Sequence, residues 1–242
     1  MGAANLLRFA LRLLARDFRA GELRVLAVAL LVAVAAVTSV GFFADRMKQT
    51  LNREAHQLLG GDLMLHSHVP WAPEIADEIR RRGLRETSSV TFVSMVQAQG
   101  ANQLAGVKAV APGYPLRGTM RVAGGLNRPD VPANGIPAPG EVWIDERLTS
   151  ALSAALGSTV TVGDASLRVA AVLTLEPERG ASFFNFAPRL LMNAADLPAT
   201  GLIQPGSRIH YWLYAAGEPE KVAAFARWVE PRLARGQRVE TL

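Results

Sequence analysis

The chain has 242 residues, of which half are hydrophobic, and it carries a formal net charge of +5 and no cysteine. This length accommodates a membrane anchor together with one sizeable domain or two small lobes. The absence of cysteine excludes disulfide frameworks, thiolate metal sites and cysteine nucleophiles. Because the arginines form no stripe interleaved with aromatic residues, we do not expect nucleic acid as a partner.

The first long feature is an uncharged stretch, residues 25–44, which consists mostly of Val, Leu and Ala. At about 1.5 Å per residue, a helix of this length spans roughly 30 Å, the thickness of the hydrocarbon core of a bilayer. A cleaved signal peptide has a shorter apolar core and small residues before its cleavage site. This chain has Phe42 and Phe43 at that place. We therefore predict a retained transmembrane helix.

Residues 1–24 precede this helix and hold five arginines and two acids. The positive-inside rule then places the N-terminus in the cytoplasm and the main domain on the other side of the membrane. Arg8, Arg12, Arg16 and Arg19 share one helical face, opposite a face of leucines and one phenylalanine. This pattern is typical of an amphipathic helix on the cytoplasmic membrane surface, and packing on a partner protein is the alternative.

Residues 45–61 continue the helical periodicity and end at two glycines. We predict that the transmembrane helix extends here as a helical stalk. An ordinary connecting helix packed on the domain fits the same pattern.

Residues 62–242 alternate strand and helix signals and predict a mixed α/β, or α+β, extracytoplasmic domain of two lobes. The first lobe is expected to form a strand, a helix and a hairpin. Residues 112–140 contain six prolines and are expected to be one long unpacked loop at the lobe boundary. A small β-module, two strands and a helix over residues 218–234 follow. A strand signal begins at residue 238 and breaks off, so we expect a chain truncated at its C-terminus.

The sequence contains no P-loop, no Gly-x-Ser-x-Gly elbow and no His-Glu-x-x-His motif. We therefore predict no catalytic and no cofactor-binding residues. His66 and His68 share one side of a strand, but neither His56 nor an acid is recognisable as a third ligand, so no metal site is predicted. Glu176 and Glu178 flank a proline and are interpreted as solvated acids of a turn.

Several stretches taken together resemble the YbbP-like ABC transporter permeases of the MacB/FtsX-like group. They are Gly60-Gly-Asp-Leu-Met-Leu65, Val107-Lys-Ala-Val110 with Tyr114-Pro-Leu-Arg-Gly118, Pro139-Gly-Glu-Val-Trp-Ile-Asp-Glu-Arg-Leu148, Phe183-Phe-Asn-Phe-Ala-Pro-Arg189 and Asp196-Leu-Pro-Ala-Thr-Gly201.

The resemblance implies a bacterial inner (plasma) membrane protein with a MacB-like periplasmic core domain. It implies a permease subunit without enzymatic activity, whose partners are a cytoplasmic ABC-type ATPase, the lipid bilayer and a periplasmic protein. The implied cargo is hydrophobic, lipid or lipoprotein-like. Such permeases have several membrane helices and this chain shows one, so we expect an N-terminal portion of a longer permease. A membrane-anchored scaffold or binding domain that recruits a periplasmic enzyme is the alternative.

Two places are candidate contacts for cargo or a partner. One is Arg117, and the other is the aromatic group formed by Phe183, Phe184 and Phe186. Aromatic residues are usually buried, so a purely structural role in the core is the alternative for the phenylalanines.

Overall fold

The computed structural model describes residues 22–58, 60–177, 187–204 and 206–240. The chain divides into two units, Met1–Asn52 and Arg53–Leu242. The predicted amphipathic segment lies almost wholly outside the described residues. Helix α1, Glu22–Leu58, runs without a break past the end of the apolar stretch. Within α1, Val28–Met47 has the length and composition needed to cross a membrane, three residues later than predicted, and its side chains are not buried.

The second unit is an α+β domain, as predicted, and its elements follow in chain order. The strands are β1 Leu63–Ser67, β2 Arg85–Ala98, β3 Ala101–Val110, β4 Arg121–Ala123, β5 Asp130–Pro132, β6 Glu141–Asp145, β7 Thr159–Val162, β8 Ala165–Leu175, β9 Arg189–Asn193, β10 His210–Ala216 and β11 Arg238–Glu240. The helices are α2 Pro73–Arg81, α3 Glu146–Leu152 and α4 Pro219–Val229, with short 3-10 turns at Ala194–Asp196, Pro198–Thr200 and Glu230–Arg232.

One part of the domain is an open antiparallel sheet in the order β11-β1-β10-β2. One face of this sheet packs against α2 and α4, because alternate residues of β1 and β10 are apolar and point to that side. The shared core of sheet and helices includes Leu65, Ile79, Leu213, Phe225 and Val229, which are all buried. In the strand order of this sheet, β10 comes late in the sequence but lies between the early strands β1 and β2.

The other part is a closed barrel of six strands. The circuit runs β2-β3-β9-β6-β8-β7 and returns to β2, where Val96 pairs with Val162. The interior holds apolar side chains from every one of these strands, and α3 adds Leu148 and Leu152 to the same core. Asp145 directly precedes helix α3, and its carboxylate accepts a hydrogen bond from the Leu148 amide and so caps the helix.

The segment between β3 and β6 corrects the prediction of one unpacked loop over residues 112–140. Strands β4 and β5 form a hairpin there, and β4 pairs with β8. Tyr114, Leu116 and Met120 are buried against the outer face of the barrel strands, where Trp143 and Leu191 also pack. Proline and glycine interrupt regular structure in this segment without keeping it from being packed.

Candidate functional site

The candidate site is the place where the chain passes from α1 into the folded domain. Gly60 follows the helix with a φ of 67°, a left-handed conformation that glycine adopts without steric cost. Its carbonyl oxygen accepts hydrogen bonds from the amides of Leu116, at 2.8 Å, and Arg117, at 3.0 Å. The residues after the helix are therefore bound to the segment that follows β3.

Two residues further on, the Asp62 carboxylate gathers three donors. The Arg117 guanidinium donates from Nε to Oδ1 at 2.8 Å and from Nη2 to Oδ2 at 2.7 Å. The Gly217 amide donates to Oδ2 at 2.9 Å. The bidentate pairing of Arg with a carboxylate fixes direction as well as distance. We call the group formed by Gly60, Asp62, Leu116, Arg117 and Gly217 the Asp62 junction.

The Asp62 junction links three parts of the chain that are distant in sequence. Gly217 connects β10 to α4, and the Leu116 carbonyl also accepts a hydrogen bond from Arg85, the first residue of β2. The hydrogen bonds to Asp62 raise the pKa of Arg117 above its usual value, so the guanidinium stays charged. A displacement of Gly60 would thus act on the β10–α4 connection through Asp62 and on β2 through Leu116.

Arg117 was predicted as a contact for cargo or a partner, and that role stays a prediction. The structure adds an internal role, since its guanidinium is engaged by Asp62 while part of the side chain remains exposed. Sequence reasoning did not single out Asp62 or Gly217. The signal for Asp62 was present, because two of the stretches that carry the resemblance contain Asp62 and Arg117.

A second polar group is buried at the outer face of the barrel. The Glu176 carboxylate lies 3.1 Å from Lys108 Nζ and 2.9 Å from Arg189 Nε, and all three side chains are almost fully buried. Lys108 also donates to the Tyr114 hydroxyl at 2.7 Å. The interpretation of Glu176 as a solvated turn acid is wrong, because its carboxylate is buried and forms ion pairs with Lys108 and Arg189.

Phe183, Phe184 and Phe186 lie outside the described residues, as does Glu178, so their predicted roles stay predictions. An ion pair joins described residues on the two sides of the segment that contains them. In this pair, Glu176 precedes the segment and Arg189 follows it.

His66 and His68 lie on one face of β1 and its end, as the sequence predicts, and His66 is buried. His210, which sequence reasoning did not consider, joins His66 and His68 on one face of β1 and β10. The signal that was missed is the pairing of β1 with β10, in which Ser67 faces Tyr211 and His68 comes opposite His210 one step further along.

Comparison with known proteins gives a consistent result. The model of the MacB-like periplasmic core domain matches residues 25–232. The sequence is 35% identical over 223 residues to an uncharacterized ABC transporter permease, YbbP, of Escherichia coli strain K12. That alignment covers 92% of this chain and 27% of the relative, so the chain spans about a quarter of the length of that permease.

Solved structures to which the chain is similar include the periplasmic region of MacB from Actinobacillus actinomycetemcomitans, with 12% identity and a TM-score of 0.46. The alignment covers 77% of this chain and 91% of that one. Another is the extracellular domain of the noncanonic ABC-type transporter YknZ from Gram-positive bacteria, with 11% identity and a TM-score of 0.48. The alignment covers 74% of this chain and all of that one.

Proposed function

The chain belongs to the family of the MacB-like periplasmic core domain, and from this we propose that it is the first membrane helix and the periplasmic domain of an ABC transporter permease. The observation that carries the proposal is the extent of the family match, which begins inside the apolar helix and continues through α4. Because one family model matches both the membrane helix and the domain, it supports the proposal that the two act as parts of one permease.

In the proposed mechanism, a cytoplasmic ABC-type ATPase binds the permease and drives movement of its membrane helices. Helix α1 passes this movement to the periplasmic domain. The Asp62 junction supports this role, because it lies directly after α1 and is bonded both to the β10–α4 connection and to the segment after β3. The permease itself hydrolyses nothing, and its contribution is mechanical.

The proposed location is the bacterial inner membrane, with the N-terminus in the cytoplasm and the domain in the periplasm. The five arginines among residues 1–24 support this orientation.

The proposed cargo is hydrophobic, such as a lipid or a lipoprotein. An exposed apolar strip on the β2–β3 hairpin supports this cargo class. It is formed by Val93, Met95 and Leu104, which point away from the barrel interior and are each more than a third exposed. Met95 and Leu104 face each other across the hairpin. Apolar side chains grouped on a surface are typical of contacts with apolar ligands or partners.

The proposal is tested in the parent permease, purified with its ATPase in lipid nanodiscs. These residues contain no cysteine, so Glu218→Cys, with cysteines elsewhere in the permease replaced, offers one site for a fluorophore. Glu218 is exposed and follows Gly217 of the Asp62 junction. We expect the ATPase to co-purify and Mg-ATP to change the fluorescence. We expect Arg117→Ala to remove at least half of that change.

Arg121→Ala is the matched control, because Arg121 makes an equivalent bidentate pair with Asp130 in the β4–β5 hairpin, away from α1 in sequence. The control should keep the ATP-dependent signal. Absence of a co-purifying ATPase, or a signal that Arg117→Ala and Arg121→Ala reduce equally, would overturn the mechanism.

The cargo class is tested separately by binding of a fluorescent phospholipid analogue to the same complex. Met95→Glu with Leu104→Glu should abolish that binding and preserve the ATP-dependent signal. Val131→Glu, at an exposed valine of β5, should preserve both. Equal lipid binding by the wild type, by Met95→Glu with Leu104→Glu, and by Val131→Glu would reject a role for the strip in cargo binding.

A further inference from the structure

Three of the four histidines of the chain meet on one face of the open sheet. His66 belongs to β1, His68 follows β1 directly, and His210 is the first residue of β10. Residues two apart on a strand face the same side, and the antiparallel register brings His68 opposite His210. The fold therefore brings His210 to two imidazoles that lie 142 and 144 residues earlier in the sequence.

The three rings are close enough to share one ligand. One nitrogen of each histidine lies within 4.8 Å of the corresponding nitrogens of the other two. His66 Nε2 is 2.8 Å from His210 Nδ1, and the centroid of the His68 ring is 4.9 Å from the centroids of both. The Trp212 ring lies against His66, with 4.5 Å between centroids. Trp212 thus covers one side of the three-histidine group.

The hydrogen bonding of this group is incomplete. His66 is 1% exposed, and its Nδ1 has no hydrogen-bond partner among the described residues. A buried polar atom without a partner destabilises the fold, so such an atom calls for an explanation. Burial, together with the positive charge of Arg238, lowers the pKa of His66 to about 4. Burial also lowers the pKa of His210.

We propose that His66, His68 and His210 form a binding site for a divalent late transition-metal ion, with Zn²⁺ as its representative. Neutral imidazole is a preferred ligand of Zn²⁺, Cu²⁺ and Ni²⁺. Three histidines with no carboxylate or thiolate correspond to a site that keeps a fourth position for water or an external ligand. His68 is exposed and His210 half-buried, so the ion has a path from solvent.

The observed distances are compatible with this ion after small movements. Tetrahedral Zn²⁺ at about 2.0–2.1 Å from each nitrogen separates the nitrogens by roughly 3.3 Å. The contact between His66 and His210 would open by about half an ångström as their hydrogen bond is replaced by the metal. His68 lies just beyond the end of β1 and is exposed, so rotation of its side chain can close the remaining distance.

The charges around the site limit its affinity. Arg238 faces His66 across β1 and β11, and a cation at that distance disfavours a second one. Its guanidinium is partly neutralised by Glu240, whose Oε1 lies 2.8 Å from Arg238 Nε. We therefore expect binding in the micromolar range and not the tight binding of thiolate sites.

The experiment is titration calorimetry of the untagged full chain in detergent with ZnCl₂, supplemented by the visible spectrum of added Co²⁺. We expect one equivalent of Zn²⁺ to bind and Co²⁺ to give the absorption of tetrahedral coordination. His68→Ala should weaken Zn²⁺ binding by about tenfold or more, because it removes one of three ligands. His56→Ala is the matched control, since His56 is the fourth histidine and belongs to α1.

His210→Ala serves as a second ligand variant, provided that its circular dichroism matches that of the wild type. His68 is exposed, so the decision does not depend on a variant that perturbs the core. Loss of binding in His68→Ala with retention in His56→Ala supports the site. Absence of micromolar binding, or equal affinity in the wild type and His68→Ala, overturns it.

Discussion

Glu176 and Arg189 are separated by thirteen positions in the chain, yet Glu176 Oε2 lies 2.9 Å from Arg189 Nε in the interior of the domain. Lys108 approaches the other oxygen of the same carboxylate. We predict that Glu176→Gln destabilises the chain by about 3–5 kcal/mol, because two buried cations lose their counter-charge. The measurement is the free energy of unfolding of the full chain in detergent by urea titration.

Glu141→Gln is the control for this prediction. Glu141 pairs with Arg168 at the surface, where removing one partner changes stability by about 0–1 kcal/mol. If Glu176→Gln were as stable as Glu141→Gln, the buried ion pairs of Glu176 with Lys108 and Arg189 would not contribute to the stability of the domain.

The β7–β8 turn gives a second prediction. A Cβ on Gly163, which has a φ of 58°, would lie 2.0 Å from the Thr200 carbonyl oxygen. We expect Gly163→Ala to destabilise the chain by about 1–3 kcal/mol more than Gly135→Ala, because overpacking adds to the backbone strain. Gly135 also has a positive φ but open space around it. Thermal unfolding of both variants measures the difference, and equal melting temperatures would contradict the clash.

A third prediction concerns acid stability. Hydrogen bonds from Arg121, and then from Thr174, lower the pKa of Asp130 from 3.8 to about 2. The unfolded chain therefore binds more protons than the folded chain between pH 4 and pH 2, so stability rises with pH in that window. The contribution of Asp130 is complete above pH 4 and is lost as the pH falls towards 2.

The check is the urea midpoint of the wild type and of Asp130→Asn at pH 4.5 and at pH 2.5. The wild type should be more stable at pH 4.5, and the difference should shrink at pH 2.5. Arg121→Ala removes the cause of the shift and should behave like Asp130→Asn. A difference that is independent of pH would contradict the assignment.

A fourth prediction concerns orientation in the membrane. With no cysteine in these residues, a single Glu218→Cys or Arg12→Cys can be probed with a membrane-impermeant maleimide in spheroplasts. We expect Cys at position 218 to react from outside and Cys at position 12 to react only after permeabilisation. The reverse pattern would place the domain in the cytoplasm.

Local patterns predicted most elements of the domain. Strand β1, the β2–β3 hairpin and α4 were all expected from alternation, turn residues and helical periodicity. These signals are contained within a few neighbouring residues, so a single sequence carries them. The family resemblance predicted the MacB-like domain for the same reason, since it rests on short stretches of particular residues.

The non-local pairings were not predictable in this way. Strand β7 closes the barrel by pairing Val162 with Val96, and nothing in these short segments specifies the partner. The environment of Glu176 was misjudged because Pro177 predicts a turn, whereas Lys108 and Arg189 come from distant strands. His210 was missed because the order of β1 and β10 in the sheet is a property of the topology and not of either strand.

The position of β10 has a consequence for biogenesis. Strand β1 is the first strand of the domain to be made, but its partners among the described residues are β10 and β11, which are made more than 140 residues later. Pairings of such long sequence separation form slowly, and an unpaired apolar strand is a site for aggregation. During synthesis, β1 therefore keeps open edges until β10 has been made. The apolar residues Leu63 and Leu65 need protection for that interval.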